Sequence, residues 1–176
     1  TFSDRYSLCA INADEYINEK SFSKIAQGFY NDTYLFDQNA CTAPHLLIWL
    51  GSEDNVKKAK DKFWSSLHNF VIQNYTVQPV IAVDKLTSFY NQSVHMNQIT
   101  KIITADNLIW RVELQELLKN IDEYRCNSGY FSEYHAASIS EINNIIDRKY
   151  QTLSYYGISN EELSKFMKEE KPKGID

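Results

Sequence analysis

Glycine, proline and cysteine are all scarce in this 176-residue chain, which contains 5 Gly, 3 Pro and 3 Cys. The glycines form no Gly-x-Gly-x-x-Gly loop, so the sequence offers no phosphate cradle for a dinucleotide. The cysteines are odd in number and form no Cys-x-x-Cys pair, which argues against a disulfide framework and favours a reducing, cytoplasmic location. The histidines share no ligand spacing with one another or with the cysteines, and we expect no metal site.

Long apolar runs and an excess of positive charge are also missing. No apolar segment approaches the length of a membrane span, and no signal peptide is visible. The net charge is −5, with acidic and basic residues interspersed, which gives no reason to expect a nucleic-acid partner. The one basic cluster, residues 57–62, lies on a predicted helix whose other face is apolar. We interpret it as a solvated helix face rather than a phosphate or coenzyme A site.

Length and composition predict a single domain over residues 1–176. Hydrophobic residues make up 43% of the chain and aromatic residues 14%, enough for one core with a large aromatic share. Strand-like and helix-like segments alternate along the sequence. This alternation predicts an α/β fold with an open, mostly parallel sheet covered by helices on both faces. Both ends read like the middle of a longer sequence, so we expect an excised domain.

The hydrophobic periodicity predicts the individual elements. Strands are expected over 6–11, 46–50, 100–104, 108–114, 130–137 and 152–156. Helices are expected over 13–30, after a turn at 51–54, over 79–96, from 140 and from 160. The strand over 130–137 alternates aromatic and polar residues, as a half-exposed strand does. The tail 168–176 is expected to fray.

The segment that best suits chemistry is residues 36–44, Phe-Asp-Gln-Asn-Ala-Cys-Thr-Ala-Pro, between a predicted helix and an apolar strand. A cysteine among small residues on such a connection can be both held and exposed, as a nucleophile must be. A lone cysteine is also commonly a small buried hydrophobe. Cys9 and Cys126 lack comparable surroundings and are interpreted in that second way.

The pattern Asp-Gln-x-Ala-Cys-x-x-Pro followed by an apolar strand resembles the nucleophile segment of the long-chain fatty acyl-CoA reductases of bacterial bioluminescence. These enzymes form a branch of the aldehyde dehydrogenase superfamily. The run Tyr-Gln-Thr-Leu-Ser-Tyr-Tyr-Gly at 150–157 is similar to the same enzymes, whereas the match over 76–123 rests on order alone. The resemblance implies the catalytic-domain fold of that superfamily. The Rossmann-like cofactor domain that precedes this region in the family is absent from the chain.

The resemblance also implies a reaction. Cys41 would carry the acyl group of a fatty acyl-CoA as a thioester, NADPH would reduce it to a fatty aldehyde, and the backbone N–H of Cys41 would help to bind the oxyanion. Asn39 and Phe36 are predicted to contact the substrate. The alternative interpretation of the aromatics at 29, 34 and 36 as core is the one we favour.

Two further residues are candidates by position. Many aldehyde dehydrogenases have a Glu-x-Phe-Gly-Pro motif whose glutamate binds the nicotinamide ribose. That motif is absent here, but Glu133 lies in the corresponding region and is predicted to contact the cofactor. His45, four residues after Cys41, is a candidate base.

Other functions remain open at the level of sequence. Within the superfamily, the chain could belong to an aldehyde-oxidising or acyl-phosphate-reducing enzyme, although Asp37-Gln38 stands where oxidising members have Gly-Gln. From a different class, it could be a binding or assembly module with an inert cysteine. The expected partners are a fatty acyl-CoA, an acyl-transfer protein and a second copy in a homo-oligomer. No motif identifies the last two.

Overall fold

The computed structural model describes residues 5–97 and 99–169. Six strands form one sheet in the order β3-β4-β5-β2-β1-β6. The strands are β1 Tyr6–Asn12, β2 Pro44–Leu50, β3 Ile99–Thr104, β4 Trp110–Leu114, β5 Tyr130–His135 and β6 Tyr150–Tyr156. Every neighbouring pair is parallel except β3 and β4, which are antiparallel at one edge. The predicted mostly parallel sheet is confirmed.

The described residues contain five α-helices and three short 3-10 helices. The α-helices are α1 Ala13–Tyr16, α2 Phe22–Thr33, α3 Glu53–Asn74, α4 Pro79–His95 and α5 Asn160–Glu169. The 3-10 helices are Tyr34–Phe36, Ile121–Glu123 and Ile139–Asn144. None of the α-helices in the described part has both the length and the apolar character needed to cross a membrane. The expected fraying of the tail falls mainly on residues 170–176, which lie outside the described residues.

Two helix predictions were wrong in detail. The helix predicted over 13–30 is broken into α1 and α2, because Glu19 Oε1 accepts hydrogen bonds from the backbone N–H groups of Lys20 and Ser21, each at 2.7 Å. Such a local bond takes those donors away from a continuous helix. The helix predicted from 140 is the 3-10 helix Ile139–Asn144. There Glu141 turns back to accept a hydrogen bond from the backbone N–H of Ala137 at 2.7 Å.

Helices cover both faces of the sheet, as predicted. Along β2, Leu46, Ile48 and Leu50 belong to one core, and Leu47 and Trp49 belong to the other. The first core is closed by α4, α5 and the 3-10 helix Ile139–Asn144, and the second by α1, α2 and α3. The second core is rich in aromatic rings, which pack edge-on against each other.

The strand predicted as half-exposed is instead central. β5 pairs with β4 on one side and β2 on the other, and its first four residues are buried. The polar residues in that alternation, Ser132 and Glu133, are therefore enclosed rather than solvated. In contrast, the basic cluster lies on a largely solvated face, as predicted: Lys57, Lys58 and Lys62 are exposed along α3, and Lys60 is partly buried and pairs with Glu113 at 2.9 Å.

Candidate active site

The loop that carries Cys41, residues 37–43, lies at the amino ends of the parallel strands. It runs directly into β2, and its residues contact Ser7 near the start of β1, Tyr130 at the start of β5 and Gln151 near the start of β6. Open α/β sheets usually bind ligands at the carboxyl ends of their strands. The cysteine therefore lies at the opposite ends of the strands from the usual ligand site.

Gln38 fastens this loop to the sheet. Its side chain is 1% exposed, and its Nε2 donates to the carbonyl oxygens of Pro44 and Tyr130, both at 3.0 Å. Its Oε1 accepts from the backbone N–H groups of Gly129 at 2.9 Å and Tyr130 at 3.1 Å. All four hydrogen-bonding positions of the amide are used, so the loop is fixed in position relative to the starts of β2 and β5.

The backbone of the loop is strained where Gln38 holds it. Asp37 and Gln38 have φ of 51° and 60°, two consecutive non-glycine residues in the left-handed region. The carbonyl oxygen of Asp37 accepts from the N–H of Ser128 at 3.0 Å, and its carboxylate accepts from the hydroxyl of Tyr75 at 2.6 Å. Backbone conformations of this kind persist where surrounding contacts over-determine them, and they concentrate at functional sites.

The opposing loop, residues 126–129, is shaped to fit. Gly129 has φ of 93°, and a Cβ at that position would collide with the carbonyl oxygen of Leu108 and the hydroxyl of Tyr34. Only glycine suits this combination of conformation and close approach.

Cys41 is exposed at the surface of this fixed loop. The Ser7 hydroxyl donates to its carbonyl oxygen at 2.7 Å, and Gln151 Nε2 donates to its Sγ at 3.5 Å. Its backbone N–H donates to no acceptor among the described residues. Thus the loop position is fixed while Cys41 stays exposed.

A cavity of about 710 Å³ opens beside the sulfur, a size that suits a small-molecule site. It is lined by Arg5, Gln38, Asn39, Ala40, Cys41, His45, Asp84, Arg125, Cys126 and Asn127. The lining contains two guanidinium groups and one carboxylate. Planar guanidinium groups suit phosphate or carboxylate oxygens.

His45 lines the same cavity as Cys41, which a base acting on that cysteine would have to do. It is 8% exposed, and its ring stacks on Tyr6 with the centroids 5.6 Å apart. Burial lowers the pKa of His45 to about 4, so the ring is neutral at pH 7. Its Nδ1 has no hydrogen-bond partner in the described part of the chain. A role as base stays a prediction, and so low a pKa makes the ring a weak proton acceptor.

The two residues predicted to contact the substrate, Asn39 and Phe36, differ in their position relative to the cavity. Asn39 lines the cavity, and its Oδ1 accepts from Asn127 Nδ2 at 3.4 Å. Phe36 is 69% exposed and does not line the cavity. The interpretation as core is confirmed for Phe29 and Tyr34 but wrong for Phe36, because the 3-10 helix ends there on the solvent side.

Glu133 is enclosed in the protein and does not line the cavity of Cys41. Its side chain is 0% exposed, and Oε1 accepts from the indole N–H groups of Trp49 and Trp64 at 2.9 and 2.7 Å. Oε2 accepts from Arg111 Nε at 2.9 Å, and that guanidinium stacks on Trp64. Three protein donors satisfy this carboxylate, which gives it a structural role. Nothing in this geometry supports the predicted contact with a cofactor.

The described residues do not fit a dinucleotide. The phosphate groups of a dinucleotide are commonly bound at an open helix N-terminus behind a glycine-rich turn. Gly51 does lie between β2 and α3, but the Asp14 carboxylate fills the space above it, at 3.0 Å from a Cβ built there. The same carboxylate accepts from Asn55 Nδ2 at 2.7 Å, so an anion already occupies this helix end.

Three residues that hold the cysteine loop or its sulfur, Gln38, Gln151 and Ser7, were not assigned a role from the sequence. Gln38 and Gln151 lie within the matched motifs and Ser7 lies within the strand predicted over 6–11, but no signal linked Ser7 or Gln151 to the cysteine. Their contacts join residues far apart in the chain: Ser7 and Cys41 are separated by 34 positions, Gln151 and Cys41 by 110.

No protein-family model and no curated protein sequence matches the chain. Solved structures do match. The Delta-pyrroline-5-carboxylate dehydrogenase of Mycobacterium tuberculosis, solved with NAD and cobalamin, has a TM-score of 0.60 at 6% identity, over 97% of this chain and 35% of its own. The NAD-dependent benzaldehyde dehydrogenase of Corynebacterium glutamicum has a TM-score of 0.55 at 7% identity, over 97% and 38%. The 1-pyrroline-5-carboxylate dehydrogenase of Thermus, with bound NAD, has a TM-score of 0.54 at 13% identity, over 97% and 34%.

The chain spans about a third of the length of each of these enzymes. Identities this low establish the fold alone. The fold is that of the matching part of enzymes of the aldehyde dehydrogenase superfamily.

Proposed function

We propose that this chain is the nucleophile-bearing catalytic domain of an NADPH-dependent reductase that converts long-chain fatty acyl-CoA to fatty aldehyde through a thioester on Cys41. The observation that carries the proposal is the exposed Cys41 sulfur at a cavity wall, on a loop fixed by Gln38 and Ser7. The coarser assignment, an oxidoreductase of aldehydes that uses NAD(P), is supported by the shared fold and by the dehydrogenase activities named for its structural neighbours.

In the first step, the Cys41 thiolate attacks the thioester carbonyl carbon of acyl-CoA. A carbon–sulfur bond forms to Cys41 while negative charge collects on the carbonyl oxygen. In this proposal the backbone N–H of Cys41 donates to that oxygen, and the support is that it has no acceptor among the described residues. The charge then returns to the carbonyl as the bond to coenzyme A breaks. The proton lost by Cys41 is balanced by protonation of the released coenzyme A thiolate.

The surroundings of Cys41 suit the two ends of such a substrate. Arg5 and Arg125 line the cavity and match the phosphate groups of coenzyme A. Leu35 and Phe36, 59% and 69% exposed on the 3-10 helix before the loop, offer apolar surface to the acyl chain. In this way Phe36 would contact the substrate from outside the cavity.

A nicotinamide cofactor, when bound, supplies the hydride that reduces a thioester to an aldehyde. Because the described residues do not fit a dinucleotide, we assign no residue of this chain to that step. The choice of NADPH rests on the resemblance of the cysteine segment to acyl-CoA reductases.

The test is the intact mass of the protein after incubation with a long-chain acyl-CoA and no cofactor. We expect the wild type to gain one acyl group and release one coenzyme A. Cys41→Ala should gain none, whereas Cys126→Ala, which changes another cysteine of the same cavity, should be acylated like the wild type. If no variant is acylated and coenzyme A stays intact, the proposal is wrong and a non-catalytic binding module becomes the better explanation.

An aldehyde-oxidising dehydrogenase is the second candidate, favoured by the names of the structural neighbours. Such an enzyme would use the same cysteine on an aldehyde rather than a thioester. The two are separated by protection of Cys41 from alkylation. A long-chain aldehyde that protects Cys41 where acyl-CoA neither protects nor acylates it would favour the oxidising enzyme.

A further inference from the structure

We propose that Gln151 is a catalytic residue of this site, which donates a hydrogen bond from its side-chain amide to the Cys41 sulfur and holds the thiolate in position for attack. This inference rests on the proposed function, because attack by Cys41 is the step that it serves. Its basis is the contact between Gln151 Nε2 and Cys41 Sγ at 3.5 Å.

The contact depends on an irregularity in the sheet. In the parallel pair of β1 and β6, Tyr6 is opposite Tyr150 and Ser7 is opposite Thr152, so Gln151 is an extra residue without a partner in the register. Bulges of this kind re-aim a side chain and are over-represented next to active sites.

The other neighbour of β1 has the same irregularity at the same level. Ser7 is opposite Pro44 and Leu8 is opposite Leu46, so His45 is the extra residue on β2. Ser7 itself donates to the Cys41 carbonyl oxygen. Two register shifts therefore flank the strand residue that holds the loop, and each involves a polar side chain of the cysteine site. A single shift could be an accident of strand length, but a matched pair around one cysteine indicates a built arrangement.

Gln151 contacts the sulfur without taking part in the cavity wall. Cys41 lines the cavity, whereas Gln151 does not. The amide can therefore keep its hydrogen bond to the sulfur while an acyl carbonyl approaches from the cavity. A bond to one lone pair also limits rotation of the side chain, which leaves another lone pair directed at the carbonyl carbon.

The chemistry of an amide fits this role and excludes another. A side-chain amide N–H donates a hydrogen bond and can fix the position of the sulfur that accepts it. An amide N–H does not accept a proton at neutral pH, so Gln151 is not the base that deprotonates Cys41. Its effect is on the direction of the sulfur.

The experiment measures the rate at which iodoacetamide alkylates Cys41 at pH 7, in Cys126→Ala protein so that one accessible thiol reports. Gln151→Leu removes the donor and should lower the rate about tenfold. Gln151→Glu puts a negative charge beside the sulfur and should lower the rate further. Gln73→Leu makes the same chemical change on the exposed surface of α3 and should leave the rate unchanged.

A fold check by circular dichroism accompanies each variant, and Gln151→Met, an unbranched side chain of similar length, replaces leucine if β6 is disturbed. An unchanged alkylation rate in a folded Gln151→Leu or Gln151→Met protein overturns the role of Gln151, even if Cys41 is acylated normally. A lowered rate supports it. If the rate is lowered but acyl-CoA never acylates the wild type, the contact with Cys41 stands and the proposed function is what fails.

Discussion

The cysteine loop and the sheet interior behind it each contain a cysteine, and the two cysteines differ in their exposure to solvent. Cys41 is exposed on the loop, whereas Cys9 on β1 is 6% exposed, and burial raises the pKa of the Cys9 thiol to about 12. Each region also contains an enclosed polar side chain that bonds to several groups at once. In the loop it is Gln38, which binds backbone groups, and in the interior it is Glu133, which binds other side chains.

The difference lies in what each polar group holds in place. Gln38 is uncharged and bonds only to backbone atoms, so it fixes a stretch of main chain while the neighbouring side chains stay free. Glu133 is charged and takes donors from two tryptophans and an arginine, so it fixes side chains and leaves none of them available. A reactive sulfur needs the first arrangement, and a stable core is compatible with the second.

The largest difference between the two regions should appear in the alkylation rates of Cys41 and Cys9. A thiol with a pKa of about 12 is ionised to about one part in 10⁵ at pH 7, and Cys9 is also closed to the reagent. We expect iodoacetamide to label Cys41 at least about a thousandfold faster than Cys9, as followed by peptide mass spectrometry. In urea the two rates should converge. Comparable labelling of both cysteines in the folded protein would show that burial does not protect Cys9.

The next largest effect should come from Glu133→Gln. Removing the charge leaves Arg111 buried without its carboxylate partner, which should lower the free energy of unfolding by about 3 to 5 kcal/mol. Urea denaturation measures it, with Glu161→Gln, an exposed glutamate on α5, as the control. Alkylation of Cys41 in the folded variant should stay at the wild-type rate. A fall in that rate at full stability would instead point to the predicted functional role of Glu133.

Gln38→Ala should affect both stability and the site. The change leaves two backbone carbonyls and two backbone N–H groups of the site without their partner, and we expect a loss of about 2 to 3 kcal/mol in unfolding free energy. The acylation of Cys41 should fall as well, because the loop is no longer held over the strands. Gln73→Ala, on the exposed face of α3, provides the matched control. A stability loss below about 1 kcal/mol would show that the loop holds itself without this amide.

The smallest effect should appear in the pH dependence of stability. The pKa of His45 is about 4 in the folded protein, below its ordinary value, so protonation favours the unfolded chain. Its contribution is complete above pH 6.5 and decreases as the pH falls towards 4. Between pH 7.5 and 5 this residue alone should lower the unfolding free energy by about 2 kcal/mol.

His45→Phe retains the ring stacked on Tyr6 but cannot titrate. Urea denaturation of both proteins at the two pH values gives the comparison. The variant should lose about 2 kcal/mol less than the wild type over this interval. Equal losses in the two proteins would show that His45 does not titrate in this range.

Much of the fold could be predicted from the sequence because the signals are local. The apolar runs at 6–11 and 46–50 mark strands buried on both faces, and the repeating apolar positions of α3 mark one packed side of a helix. β5 was misjudged because its alternation of aromatic and polar residues is ordinarily a surface pattern. Its central place, and the donors that satisfy Glu133, come from neighbouring strands that no local window contains.

The sequence by itself determined the strand-helix alternation, the position of a cysteine among small residues before a buried strand, and the lack of a phosphate-binding glycine loop. Only the tertiary structure decided that Gln38 clamps the loop, that Ser7 and Gln151 contact Cys41, and that Glu133 is sealed inside. The reason is physical: strand and helix patterns repeat within a few residues. A site at the ends of parallel strands is assembled from segments that meet only when the sheet forms.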